Sequence, residues 1–247
     1  MPDRGMCIGF VSGKGGTGKT SVLAGTGAAL ARLGRRTLCM DCCPGLRNLD
    51  LVMGLSEQSL MDFSDVIAGR CTLEEAVVEY PGKPGLFLLN APADAGEHVT
   101  PLQMQTLSGH IRSTFDVCLM DAPSDMGDGF TNVVSASDWV IVVTTPHPCA
   151  RRNAQRVVME LSAFPPGDVR LIVNRVRRTP FHAAETNIDD IMNQTGLPLL
   201  GLVPEDSAFN RGLPVTLAPP HCAAAQACSR IAQRIQGEPV PLPRFFR

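Results

Sequence analysis

Residues Gly13-Lys14-Gly15-Gly16-Thr17-Gly18-Lys19-Thr20 constrain this chain more than any others. A glycine, four residues and then Gly-Lys-Thr is the spacing of a phosphate-binding loop, provided that a strand enters it and a helix leaves it. Residues 7–11 form a short apolar run expected as a buried strand, and residues 21–33 an alanine-rich helical stretch that Gly34 is placed to end. Gly13, Gly15, Gly16 and Gly18 let the backbone turn its N–H groups toward one anion, and the helix dipole adds to the same field. Lys19 is expected on the β- and γ-phosphates and Thr20 on Mg²⁺, with Thr17 and Ser21 completing the nucleotide-binding set.

The 247 residues suit one α/β domain, and 44% hydrophobic content supplies its core. A formal net charge of −2 predicts no general affinity for nucleic acid or anionic membrane. The amino terminus lacks the apolar segment of a secretory signal, no run approaches transmembrane length, and Cys7, Cys39 and Cys118 fall in expected buried strands. The nine cysteines therefore read as reduced thiols of a cytoplasmic protein. No Cys-x-x-Cys occurs, and the five histidines lack metal-ligand spacing. His147, between Pro146 and Pro148, reads as structural.

Further strands are expected over residues 36–40, 85–89, 115–120, 139–143, 170–173 and 199–203, and helices over 150–164 and 222–235. Their alternation predicts a single-domain α/β fold, a mostly parallel sheet with helices on both faces. Residues 1–237 would form the nucleotide-binding domain and 238–247 a proline-rich tail. In such sheets ligands bind beyond the carboxyl ends of the strands, where Asp41 and Asp121 stand with the loop. Asp121, closing an apolar strand, has the character of a Walker B carboxylate that holds Mg²⁺ with Thr20. Its bland alternative is a helix cap.

Lys14, a second lysine inside the loop, makes the motif resemble the deviant Walker A loop of the MinD/ParA family of P-loop NTPases. The run Gly45-Leu46-Arg47-Asn48-Leu49-Asp50-Leu51-Val52-Met53-Gly54-Leu55 is similar to switch I of the MinD branch. Asp121-Ala122-Pro123, Thr144-Thr145-Pro146 and Val203-Pro204-Glu205-Asp206 extend the likeness over nearly the whole chain. The resemblance implies ATP and ADP as ligands, with Mg²⁺, and an ATP-dependent homodimer in which Lys14 reaches the partner's phosphates. It implies catalytic roles for Lys14, Lys19, Asp41 and Asp121, and an adenine pocket lined by Asn174 and Pro204. It also implies a nucleotide-switched regulator of division-site placement with a division-regulator partner, cytoplasmic or peripheral at the inner membrane.

Two departures stand out. The MinD branch carries Asp-x-Asp where this chain has Asp41-Cys42-Cys43, so a thiol replaces the carboxylate that helps to position water, and hydrolysis is expected to be weak. Asp125 or Asp128 could substitute. Pro239, Pro241 and Pro243 exclude a basic amphipathic helix from most of the tail, which leaves Arg244-Phe245-Phe246-Arg247; either a membrane-binding segment lies beyond this sequence or none is used, and weak or absent membrane binding is the expectation favoured. Two basic clusters, Arg151, Arg152 and Arg156, then Arg175, Arg177 and Arg178, keep open a ParA-like ATPase that binds DNA. A non-hydrolysing ATP-dependent scaffold is the third reading.

Overall fold

The computed structural model describes residues 4–56, 58, 60–94, 98–162, 168–177, 188–210 and 214–242. In chain order the elements are β1 (Met6–Val11), α1 (Lys19–Arg32), β2 (Thr37–Asp41), α2 (Leu49–Met53), α3 (Phe63–Ile67), α4 (Leu73–Ala76), β3 (Val78–Glu79), β4 (Leu86–Leu89), α5 (Pro101–Thr114) and β5 (Val117–Asp121). Then follow α6 (Asp128–Ala136), β6 (Trp139–Thr144), α7 (Pro148–Leu161), β7 (Asp168–Val176), α8 (Ile188–Thr195), β8 (Leu199–Pro204), α9 (Ser207–Asn210), a 3₁₀ turn (Val215–Leu217) and α10 (Ala223–Ile235).

The strands lie side by side in the order β3-β4-β2-β5-β1-β6-β7-β8, all parallel except the short β3 against β4. β1 is central. The chain lays strands to one side of it and then to the other, and the crevice at that reversal opens at the carboxyl ends of β1 and β5. Alternation along each strand sends side chains to two layers. Ile8, Phe10 and Cys39 pack under α1, α2 and α10, whereas Cys7, Leu38 and Met40 pack under α3, α5, α6 and α7. Each fully buried leucine or phenylalanine in these layers stabilises the fold by about 2 kcal/mol.

α1 has its own close neighbour. A Cβ placed on Gly25 would stand 2.8 Å from Cys228 Sγ of α10, so the two helices approach as they do only because residue 25 has no side chain. Gly34 follows α1 at φ 81° and turns the chain into β2, the role its position predicted.

The expected strands are present, with shifted ends. Residues 115 and 116 lie outside β5 because Phe115 is the C-cap of α5, and β7 runs from Asp168 to Val176, longer at both ends than residues 170–173. α7 starts two residues earlier than expected, at Pro148. His147 caps it, its Nδ1 accepting from Cys149 N at 3.3 Å, a structural task. Phe164, Arg178, His182 and residues 243–247 lie outside the described residues. The start of the tail is fastened to α10: Glu238 N donates to Gln233 O at 3.0 Å and Arg234 Nε to Val240 O at 2.9 Å. No described helix is long and apolar enough to cross a membrane.

Candidate functional site

The loop between β1 and α1 is shaped by two left-handed glycines, Gly16 and Gly18, each at φ 80°. Gly18 precedes α1 and offers no side-chain cap, which leaves the first-turn N–H groups free for an anion. A Cβ at Gly18 would also fall 2.3 Å from Asn174 Nδ2. Gly18→Ala is therefore expected to lower stability by about 1–2 kcal/mol, from the left-handed backbone alone, and to weaken Mg-ATP binding. An unchanged urea midpoint would refute the first expectation.

Lys19 and Thr20, the first two residues of α1, converge on Asp121 at the end of β5. Lys19 Nζ donates to Asp121 Oδ1 and to the Ala122 carbonyl, and Thr20 Oγ1 donates to Asp121 Oδ2 at 2.6 Å. Lys19 and Asp121 are 7% and 1% exposed. Burial disfavours the ammonium, yet the neighbouring acidic groups, Asp121 first among them, together outweigh it, and the lysine pKa stands above its ordinary value. Asp121 caps no helix, since α6 begins at Asp128 behind Gly127. Thr20 and Asp121 are the hard oxygen donors that suit Mg²⁺. Among the described residues no group of three or more His, Cys, Asp or Glu could hold a metal ion.

Asp41 directs the segment that follows it. Its Oδ1 accepts from Cys43 N at 2.8 Å and its Oδ2 from Leu49 N at 3.1 Å. Both oxygens are thus engaged by backbone, and this residue, expected among the chemical groups, sets the path of residues 41–49. Burial and then the charge of Asp121 push its pKa up to about 6, against the two N–H donors and Lys19, which pull it down. A carboxyl whose folded pKa exceeds its unfolded value favours the native state while protonated. Relative to Asp41→Asn, the metal-free protein should therefore lose on the order of 2–3 kcal/mol as pH rises from about 4 to about 6. Urea melts across that range in EDTA measure it, and parallel curves would contradict it.

Cys43 stands where the resemblance leads to the expectation of a carboxylate. Its thiol donates to the Asp121 carbonyl at 3.5 Å, and burial and the Asp121 charge hold its pKa well above that of an ordinary thiol. The group facing the site is a neutral S–H. Cys42 beside it is buried and likewise raised.

Two cavities flank the loop. One, of about 550 Å³, takes in residues 14–21, Cys43, Pro44, Ser124, Asp125 and Asp128, and runs back to Phe63, His98 and Met104. The other, of about 480 Å³, lies between Lys14–Thr17 and the carboxyl ends of β6 and β7, walled by Thr145, Pro146, Pro148, Ala150 and Val176. Lys14 is exposed and borders both. Asn174 and Pro204 are buried at the ends of β7 and β8 and line neither cavity. Asn174 instead donates from Nδ2 to Thr17 O at 2.8 Å, clamping the loop. The sequence did not single out the cavity walls at Phe63, His98 and Met104, since each is an isolated residue in an otherwise unmarked stretch.

A family model described as "CobQ/CobB/MinD/ParA nucleotide binding domain" matches residues 8–215. The chain is 39% identical over 249 residues to the septum site-determining protein MinD of Bacillus subtilis, covering 96% of this chain and 91% of that one. The corresponding protein of Synechocystis is 36% identical over 241 residues, with 95% and 91% covered. Among solved structures, MinD in the MinC:MinD cell division complex of Aquifex aeolicus superimposes with a TM-score of 0.85 at 32% identity, over 97% of this chain and 98% of that chain. MinD of Pyrococcus horikoshii complexed with Mg-ADP gives 0.81 at 26% identity, over 93% and 95%. The loop, the aspartate at the end of β5, the sheet order and these likenesses together establish that the chain belongs to the MinD/ParA family of P-loop nucleotide-binding proteins.

Proposed function

We propose that this chain is a MinD-like ATPase that binds ATP with Mg²⁺, dimerises across the bound nucleotide, turns it over slowly and regulates the placement of cell division. One observation carries the reading: Lys19 and Thr20 meet on Asp121 inside the site while Lys14 stands exposed at its mouth. Asp121 is the common partner of the lysine and the hydroxyl that phosphate and metal would engage. Mg²⁺, held by Thr20 and Asp121 with the phosphates, would neutralise charge that develops on the transferred group. Lys19 and the loop N–H groups grip the phosphates, Asp41 shapes the switch segment, and Lys14 is left for the partner's nucleotide.

The names of the relatives support the cellular role, and the Aquifex aeolicus complex supports a division regulator of the MinC kind as partner. The proposed location is the cytoplasm, with at most weak peripheral attachment to the inner membrane; liposome pelleting tests the attachment. Residues 1–237 are proposed as the nucleotide-binding domain and 238–247 as its tail, whose described start is held against α10. Light scattering after size-exclusion chromatography, run with ATP, with ADP and without nucleotide, should show doubled mass with ATP alone. Constant mass in all three would remove the switch.

Exposed Arg152 and Arg156 on α7 favour a second reading, an ATPase that binds DNA. Their neighbours weaken it, because Arg151 bonds Gln194 and Arg177 pairs with Glu205 at 2.9 Å. ATP-dependent DNA binding that falls steeply between two salt concentrations would support the second reading over the first.

A further inference from the structure

β7 loses register with β8 between Val173 and Val176, and the two residues in the break are turned to opposite tasks. Asn174 is 6% exposed and holds the phosphate loop through Thr17 O. Its Oδ1 accepts from Arg175 N at 2.9 Å. Arg175 is left at φ 57°, a left-handed conformation that a residue with a Cβ adopts at a cost and that glycine takes freely. Such strain persists where the surroundings over-determine it, and bulges beside active sites re-aim side chains.

The re-aimed side chain is an exposed guanidinium. The ion pairs found among the described residues engage Arg70, Arg112, Arg170, Arg177 and Lys19, and leave Arg175 without an acid. Arg177, two residues on, is held by Glu205. Arg175 also borders both cavities, the phosphate-side one and the one where Pro146, Pro148, Ala150 and Val176 offer an apolar wall beside His147, Arg177 and Glu205. The only other residues common to the two are Lys14, Gly15, Gly16 and Thr17 of the loop itself. A ligand with an apolar ring in one cavity and phosphates in the other must pass Arg175 where they meet.

We propose that Arg175 is a positioning residue for the nucleotide, its guanidinium held by the Asn174 bulge so as to engage the phosphate nearest the sugar. The proposal rests on the reading of this chain as a nucleotide-binding protein. Asn174 thereby sets two things with one amide: the height of the loop through Thr17, and the direction of Arg175. A planar, multiply donating cation suits a phosphate bridging two pockets better than an ammonium does.

The test uses the full chain, with calorimetry for Mg-ATP, AMP and adenosine, and with thermal melts. Wild type must bind Mg-ATP; if it does not, the underlying reading fails and not this residue assignment. Arg175→Gly keeps the left-handed turn and removes the strain, so it should melt at or above wild type while binding Mg-ATP and AMP about tenfold more weakly. Adenosine binding should be unchanged, and Arg175→Lys should recover part of the loss. Wild-type affinity in Arg175→Gly, an equal loss for adenosine and AMP, or a clear drop in melting temperature would each overturn the proposal.

Discussion

Lys19→Met is expected to abolish measurable Mg-ATP binding and, in the same protein, to reduce stability by about 3–5 kcal/mol. Two effects share one cause. In the proposed function the lysine is the cation on the phosphates, and in the structure it is the cation on Asp121, whose side chain is only 2% exposed. Removing it strands a buried carboxylate beside Asp41, with Thr20 as its remaining side-chain donor. Asp121→Asn added to Lys19→Met should return much of the lost stability and none of the binding. Calorimetry reads the first effect and urea melts the second. Binding retained by Lys19→Met would sink the site as described, and stability retained would show that the pair is solvated.

Cys43→Asp should raise ATP turnover on the order of a hundredfold, the range associated with a positioned acid–base or water-orienting group. The existing S–H is neutral because burial and Asp121 hold its proton, and a neutral thiol is a weak acceptor for a water's hydrogen. The same substitution brings a new carboxylate next to Asp41 and Asp121. It should destabilise the metal-free protein, and Mg-ATP should reverse the loss. Phosphate release under saturating ATP gives the rate. If the rates match, Asp125 or Asp128, which border the same cavity, already supply the function, or the site does not limit turnover at this step.

Much of the site was legible because its parts are local. The spacing of residues 13–20 needs no tertiary information, and Asp121 closes a strand whose unbroken apolar run announces burial. Short elements were harder. β3 has two residues and α2, α3 and α4 four or five each, too few for a period to register. α5 is different: Thr100, Pro101 and Gln103 spell a capping box with proline in the first turn, and the helix could have been read from them. The tasks of Asn174 and Asp41 were hidden for another reason. The partner of Asn174 lies 157 residues away, and Asp41 turns both oxygens to backbone amides, which a strand-end carboxylate does not reveal in advance. Nor does any local pattern mark Arg175 as left-handed, because the bulge arises from how β7 meets β8.

The close seating of Gly25 against Cys228 has a consequence for the newly made protein. The helix that carries Lys19 and Thr20 is covered by α10, far along the chain from it, so the side that faces α10 stays open to water until residues 223–235 have been made. On the ribosome, an emerging chain holds its ATP-binding motif early and the means to keep it in shape only late.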